Sequence, residues 1–156
     1  MAALWALRDE RYALQCVQHD YRTRSSRKYI GSPLEADNVD YARKNWASVM
    51  LLNCGHSAMR AMTPGRVVQM SSQELHRFRW LDDALIGELP AEWNHLVGEH
   101  PRRDDAALAH YTLGVPGFGH YQDCEHSREW HATLLRANTV IGESPVEMLR
   151  RAEVRA

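Results

Sequence analysis

The strongest strand signal in the chain is Trp46–Asn53 (WASVMLLN), a near-continuous apolar run that stops at the turn-like Asn53-Cys54-Gly55. Such a run suits a strand buried on both faces. Tyr12–Gln18 (YALQCVQ) reads as a second strand, short and partly alternating, ended by His19-Asp20. Ala106–Thr112 (AALAHYT) can be a third, short and buried, before the Gly/Pro loop at 113–119. Helical signals lie between and after these runs, so the expected fold is α/β, a mixed sheet with flanking helices. With 156 residues there is room for one ordinary domain and its core.

The helical signals are local. Ser57–Met62 suits a short helix ended by Thr63-Pro64, and Pro64 can open another. Ser71-Ser72-Gln73-Glu74 is a capping-box pattern ahead of Leu75, Phe78 and Leu81. It predicts a helix over 72–81, with Asp82-Asp83 at or just past its end. Pro90 and Asn94 bracket a non-helical segment containing Trp93. From Asp123 a helix is expected, with Trp130, Leu134 and Ala137 at i, i+4 and i+7. Residues 20–44 form a long polar loop, and residues 143–156 a polar tail with a short helix after Pro145. The expected organisation is one domain over 1–142 followed by that tail.

Charge and composition remove several classes. Lys+Arg is 19 against 20 Asp+Glu, so the basic excess of a general nucleic-acid binder is absent. No apolar run reaches membrane-spanning length. Ala2–Leu7 is too short for a signal peptide and runs at once into Arg8, Asp9 and Glu10. The three cysteines, Cys16, Cys54 and Cys124, are widely spaced without a CxxC pair, which suits a reduced, cytoplasmic protein. Lys28 and Lys44 are the sole lysines; the arginine bias fits either anion recognition or a GC-rich coding sequence.

Four places could carry chemistry. His110, His120, His126 and His131, with Cys124, Asp123 and Glu125 among them, suit zinc by residue type but match no zinc spacing. His110 ends a short apolar strand before a Gly/Pro loop, where a ligand-binding or a buried structural imidazole would both be at home. Asp82-Asp83 at a helix C-terminus would oppose the macrodipole, or would form a solvated turn. The Gly114–Gly119 loop has neither a dinucleotide fingerprint nor a Walker sequence. In the polar loop, Arg22, Arg24, Arg27 and Lys28 could meet an anionic partner or simply face solvent.

Taken in order, the segments form a longer pattern: His19-Asp20, Arg43-Lys44-Asn45-Trp46 through Asn53-Cys54, Leu75-His76-Arg77-Phe78, Trp80-Leu81-Asp82-Asp83, Leu89-Pro90 with Trp93-Asn94, then His110-Tyr111-Thr112-Leu113-Gly114 and Pro116. This order resembles the later half of bacterial GT-A-fold glycosyltransferase-like proteins related to family 8, over roughly residues 5–135. The resemblance implies a transferase acting on a nucleotide-diphospho-sugar and an acceptor with a divalent metal, manganese or magnesium. It implies Asp83, with Asp82, beside the reacting sugar, and His110 on the metal. Asn53, Lys44, Asn45, Trp93, Asn94, Gly114, Pro116 and His19 would line the substrate site. Asp82 stands where that family has an amide, and no Asp-x-Asp occurs in the chain. The resemblance thus implies a truncated chain whose nucleotide-binding half is missing, and which would then dimerise or join that half. The alternatives from other classes are a non-catalytic binding or interaction module and a small zinc protein using the His110–His131 cluster.

Overall fold

The structure, a computed structural model, describes residues 2–141. The tail at 143–156 and its expected helix lie outside the described residues. In chain order the strands are β1 (Leu14–Cys16), β2 (Arg27–Lys28), β3 (Ala36–Asp37), β4 (Met50–Leu52), β5 (Ile86–Glu88), β6 (His95–Leu96) and β7 (Ala109–His110). The helices are α1 (Ala2–Ala6), α2 (Ser57–Arg60), α3 (Pro64–Gln69), α4 (Ser72–His76) and α5 (Ser127–Ile141). The fold is α/β with small sheets. No helix among the described residues is long and apolar enough to cross a membrane.

The chain divides into two compact units. Among the described residues the first takes 2–22, 40–95 and 103–110; the second takes 23–39, 96–102 and 111–141.

The first unit is built on a mixed three-stranded sheet, order β4-β1-β5. β1 runs antiparallel to β4, with Leu14 opposite Leu52, and parallel to β5, with Leu14 opposite Ile86. Its central position buries Leu14, Gln15 and Cys16 alike. Burial pushes the Cys16 thiol up to about 12, so it packs as a small hydrophobe. Ala13, Leu14, Cys16, Phe78, Leu81 and Ile86 form the main core, and Trp46, Met59 and Trp80 pack against it. Leu4, Val17 and Leu89 form a second cluster, joined by Leu51 and Trp93.

The Trp46–Asn53 run is not a doubly buried strand. Trp46–Ser48 is a 3-10 turn, entered through a left-handed Asn45 (φ 63°), and Met50–Leu52 alone pairs. β4 is an edge strand, so Met50 and Leu52 stay 41% and 40% exposed. Apolarity alone does not tell an edge from a centre.

The capping box at Ser71 and Glu74 forms as expected, but α4 ends at His76, short of residue 81. Phe78 turns left-handed (φ 49°), and the Arg43 guanidinium donates to the Arg77 and Phe78 carbonyls that a longer helix would have used. Asp82 caps the N-terminus of a 3-10 turn at Asp83–Leu85, accepting from the Ala84 N–H at 3.0 Å. The expected conflict with a helix dipole is therefore reversed, because acids favour a helix N-terminus. The Trp93 segment, expected to be non-helical, is a 3-10 turn over Ala91–Asn94. The strand expected over Ala106–Thr112 shrinks to Ala109–His110, and the helix expected from Asp123 starts at Ser127.

Gly87 sits in β5 where a Cβ would lie 2.4 Å from the Tyr12 ring and 2.8 Å from Gln15 Cγ. Gly87→Ala is expected to cost about 1–3 kcal/mol through this overpacking, read as a lower urea midpoint. An unchanged midpoint would show that Tyr12 gives way freely.

In the second unit the polar loop carries an antiparallel hairpin, β2 with β3, Arg27 opposite Asp37. Its organiser is Glu99, 2% exposed, which accepts from Asn38 Nδ2 at 2.6 Å and the Arg24 N–H at 2.7 Å. The Tyr29 N–H donates to the Leu113 carbonyl and the Ile30 N–H to the Tyr121 hydroxyl. At Gly114 a Cβ would stand 2.3 Å from the Tyr121 ring, and at Gly117 it would crowd Trp130 at 3.2 Å. Those two glycines let the aromatic rings close on the loop.

Candidate functional site

The site is built on the strained stretch 41–48 of the first unit. Arg43 (φ 58°) and Asn45 (φ 63°) are both left-handed without being glycine, a conformation costing about 1–3 kcal/mol each and concentrated at functional sites. Between them Lys44 is buried, 8% exposed. Its ammonium lies 6.0 Å from the Tyr21 ring centre and 5.7 Å from that of Tyr41. Arg77 covers Tyr41 at 4.9 Å, so cations and rings alternate. The Trp46 indole N–H donates to the His19 carbonyl at 2.9 Å, which pins the stretch to the end of β1.

A cavity of about 340 Å³ opens on these residues, lined by His19, Tyr21, Tyr41, Arg43 and Lys44 with the acids Asp20 and Asp40. Arg22 stands at its rim, 3.6 Å from Asp40. A polar network leads away from the wall. Asn45 Nδ2 donates to the Tyr21 hydroxyl at 2.8 Å. The Asn94 amide, fully buried, donates to the Asn45 carbonyl at 3.2 Å and to Ser48 Oγ at 2.8 Å. Its Oδ1 lies 3.2 Å from His110 Nδ1. Burial lowers the His110 pKa and favours the neutral ring.

Of the residues singled out in the sequence, His19, Lys44, Asn45, Asn94 and His110 fall in this one network or its cavity. The others lie elsewhere. Asn53 ties a turn, donating to the Glu10 and Tyr12 carbonyls at 3.3 Å and accepting from the Gly55 N–H. It borders a separate, more apolar cavity of about 410 Å³ with Trp5, Tyr12 and Leu52. Trp93 packs in the second core cluster. Asp82 is a cap, and the exposed Asp83 carboxylate bonds to Arg43. Gly114 and Pro116 belong to the second unit. Arg27 is held by Glu35 at 2.9 Å and Asp37 at 2.6 Å, so its charge is already met. Tyr21, Tyr41 and Ser48 were not singled out; the spacing of Tyr41, Arg43 and Lys44, aromatic beside cations, was their one visible signal.

The metal expectations fare differently from the cavity. Among the described residues His110 belongs to no group of three His, Cys, Asp or Glu side chains close enough to share an ion. One imidazole does not make a manganese or magnesium site, which is built mainly from oxygen donors. Nor do His120, Cys124 and His131 belong to such a group. His120 packs edge-on to Tyr121, His126 lies 3.2 Å from Glu125, and His131 bonds to the Ser127 carbonyl at 2.8 Å.

Sequence comparison finds a plant relative, 40% identical over 128 residues. The chain is similar to Protein CDI of Arabidopsis thaliana. The match takes in 78% of this chain and 48% of Protein CDI, so the chain spans about half the length of the relative. No family model matches the chain, and no solved structure matches it. The expected membership among bacterial family 8 glycosyltransferases is thereby corrected: the likeness is to a plant protein of another name, and sugar transfer has no support. The segment order that suggested it consists of short apolar strands and turns, a pattern that many α/β proteins can share.

Proposed function

We propose that the first unit is a binding domain for a small organic anion, a phosphate ester or carboxylate, held in the Lys44 cavity. The observation that carries this is the buried Lys44 ammonium beside two tyrosine rings on the wall of a polar cavity. Screening is weak around a buried cation, so its field acts strongly on an anion entering the cavity. Arg43 and Arg22 also line the cavity, each beside an acid, Asp83 and Asp40, while Tyr21 and Tyr41 supply hydroxyls for polar substituents. The volume, about 340 Å³, suits a ligand at the small end of the range. The left-handed backbone at Arg43 and Asn45, flanking the buried Lys44, supports the reading.

Calorimetric titration of the full chain with inorganic phosphate tests it. Lys44→Gln is expected to weaken binding by about ten-fold or more, the worth of a charge-assisted hydrogen bond. A folded Lys44→Gln chain that binds phosphate as the parent does would remove the proposal.

A further inference from the structure

A second concave face of the first unit has no role so far. The apolar cavity of about 410 Å³ adjoins a polar one of about 520 Å³, and Glu10, Asn53 and Gly55 line both. Each volume lies in the range of small-molecule sites. Hydrogen bonds brace the common wall. Asn53 Nδ2 donates to the Glu10 carbonyl at 3.3 Å, and Asn53 Oδ1 accepts from the Gly55 N–H at 3.1 Å. Gln15, buried and on the apolar side, accepts from the Asp9 N–H at 2.7 Å and donates to the Leu7 carbonyl at 3.1 Å. The loop that carries Glu10 is thus held in place without a ligand, which lowers the entropic cost of binding one.

The two parts differ in chemistry. On the apolar side Trp5 is 57% exposed and Leu52 40%, so an apolar group laid on them removes that surface from water. The charges there are mostly engaged. Asp9 is closed by Arg11 at 2.5 Å, and the Arg8 guanidinium lies over the Trp5 ring, 5.0 Å from its centre. Glu10 differs: it is exposed, and its carboxylate has no hydrogen bond or ion pair among the described residues. On the polar side Arg60 donates to the Gly55 carbonyl but meets no carboxylate among the described residues. His56 lines the same side with Nδ1 taken by the Ala58 N–H at 3.2 Å, so its neutral ring has a proton on Nε2 to donate. A lone cation would meet Glu10 and be opposed by Arg60; a lone anion would meet the reverse. A ligand with one charge of each sign satisfies both.

We propose that these adjoining cavities bind a free α-amino acid with a large apolar side chain. The side chain lies against Trp5 and Leu52, the ammonium pairs with Glu10, and the carboxylate pairs with Arg60. The site shares no lining residue with the Lys44 cavity, so the two readings stand or fall separately.

Amide-shift titration of the full nitrogen-15-labelled chain with L-phenylalanine tests the proposal. Two analogues, each lacking one charge, run beside it: 3-phenylpropanoate, without the ammonium, and phenethylamine, without the carboxylate. L-Phenylalanine is expected to give saturable shifts centred on Glu10, Asn53 and Gly55. It should bind more tightly than either analogue by about two- to five-fold, the worth of an exposed charge pair. Glu10→Gln should erase the preference over 3-phenylpropanoate and keep that over phenethylamine; Arg60→Gln should do the opposite. Trp5→Ala should weaken all three ligands alike, by about three- to ten-fold, the worth of one aromatic contact. Shifts that do not saturate or that centre elsewhere, or a preference over 3-phenylpropanoate that survives Glu10→Gln, overturn the proposal. The Glu10 side chain is exposed and bonds to nothing among the described residues, so Glu10→Gln folds as the parent does and decides even if Arg60→Gln disturbs the turn at Gly55.

Discussion

Phe78→Ala is expected to lower the stability of the chain by about 3–5 kcal/mol, the usual cost of deleting a buried aromatic ring. Phe78 is 2% exposed and sits in the main core of the first unit with Leu14, Cys16, Leu81 and Ile86. Its ring meets Trp80 edge-on, centres 6.4 Å apart at 88°. The backbone there is left-handed and is held by the Arg43 guanidinium through the Phe78 carbonyl, so the surroundings are tied and can collapse little into the space. Urea unfolding would show the loss as a lower midpoint with a similar slope. Because Arg43 also lines the Lys44 cavity, phosphate affinity should fall along with stability. A variant within about 1 kcal/mol of the parent would mean that this ring is not the anchor of the core.

Glu99→Ala should be nearly as damaging, about 2–4 kcal/mol, for a different reason. The carboxyl group is buried and takes two short hydrogen bonds, from Asn38 Nδ2 and from the Arg24 N–H. Removing it takes the acceptor from the Arg24 N–H and one of the acceptors from Asn38 Nδ2, which also donates to the Ser25 carbonyl at 2.8 Å. Glu99→Gln is the informative companion. It keeps the shape but exchanges one acceptor for a donor that faces a donor, so it should recover part of the loss at most. Hydrogen exchange at Arg24 and Ser26 offers a local reading: faster exchange in Glu99→Ala would show the hairpin loosening. Ser26 belongs to the same system, since its carbonyl accepts from the Asn38 N–H at 2.8 Å. Full recovery by Glu99→Gln would indicate that packing, not hydrogen bonding, sets the cost.

These two residues mark what the sequence could and could not disclose. Local chemistry was legible. The Ser71–Glu74 box starts α4 where its side chains say it should, Pro64 opens α3, and the Tyr12–Gln18 run contains β1. Long-range completion was not. α4 stops early because Arg43, more than thirty residues away, satisfies the Arg77 and Phe78 carbonyls. The Trp46–Asn53 run reads as a central strand because its composition carries no trace of its edge position. Glu99 has no pattern around it that announces burial; its partners lie 61 and 75 residues away.

The site was legible in part, for the same reason. Lys44, Asn45, Asn94 and His110 were singled out through a resemblance whose family does not hold, yet the structure joins them by hydrogen bonds or adjacency. Asp82 and Asp83 were singled out in the same way and serve as a cap and an exposed ion-pair partner. Their role turned on which helix end they occupy, a matter of one or two residues in the boundary. Tyr21 and Tyr41 gained meaning only when the fold brought both rings near one ammonium group.

The most direct test of the central claim is a phosphate titration of the nitrogen-15-labelled chain followed by backbone amide shifts. The Lys44 cavity predicts saturable shifts confined to the amides of Tyr21, Arg43, Lys44 and Asn45 and their neighbours, absent in Lys44→Gln. Shifts that do not saturate, or that centre on residues away from this cavity, would contradict it.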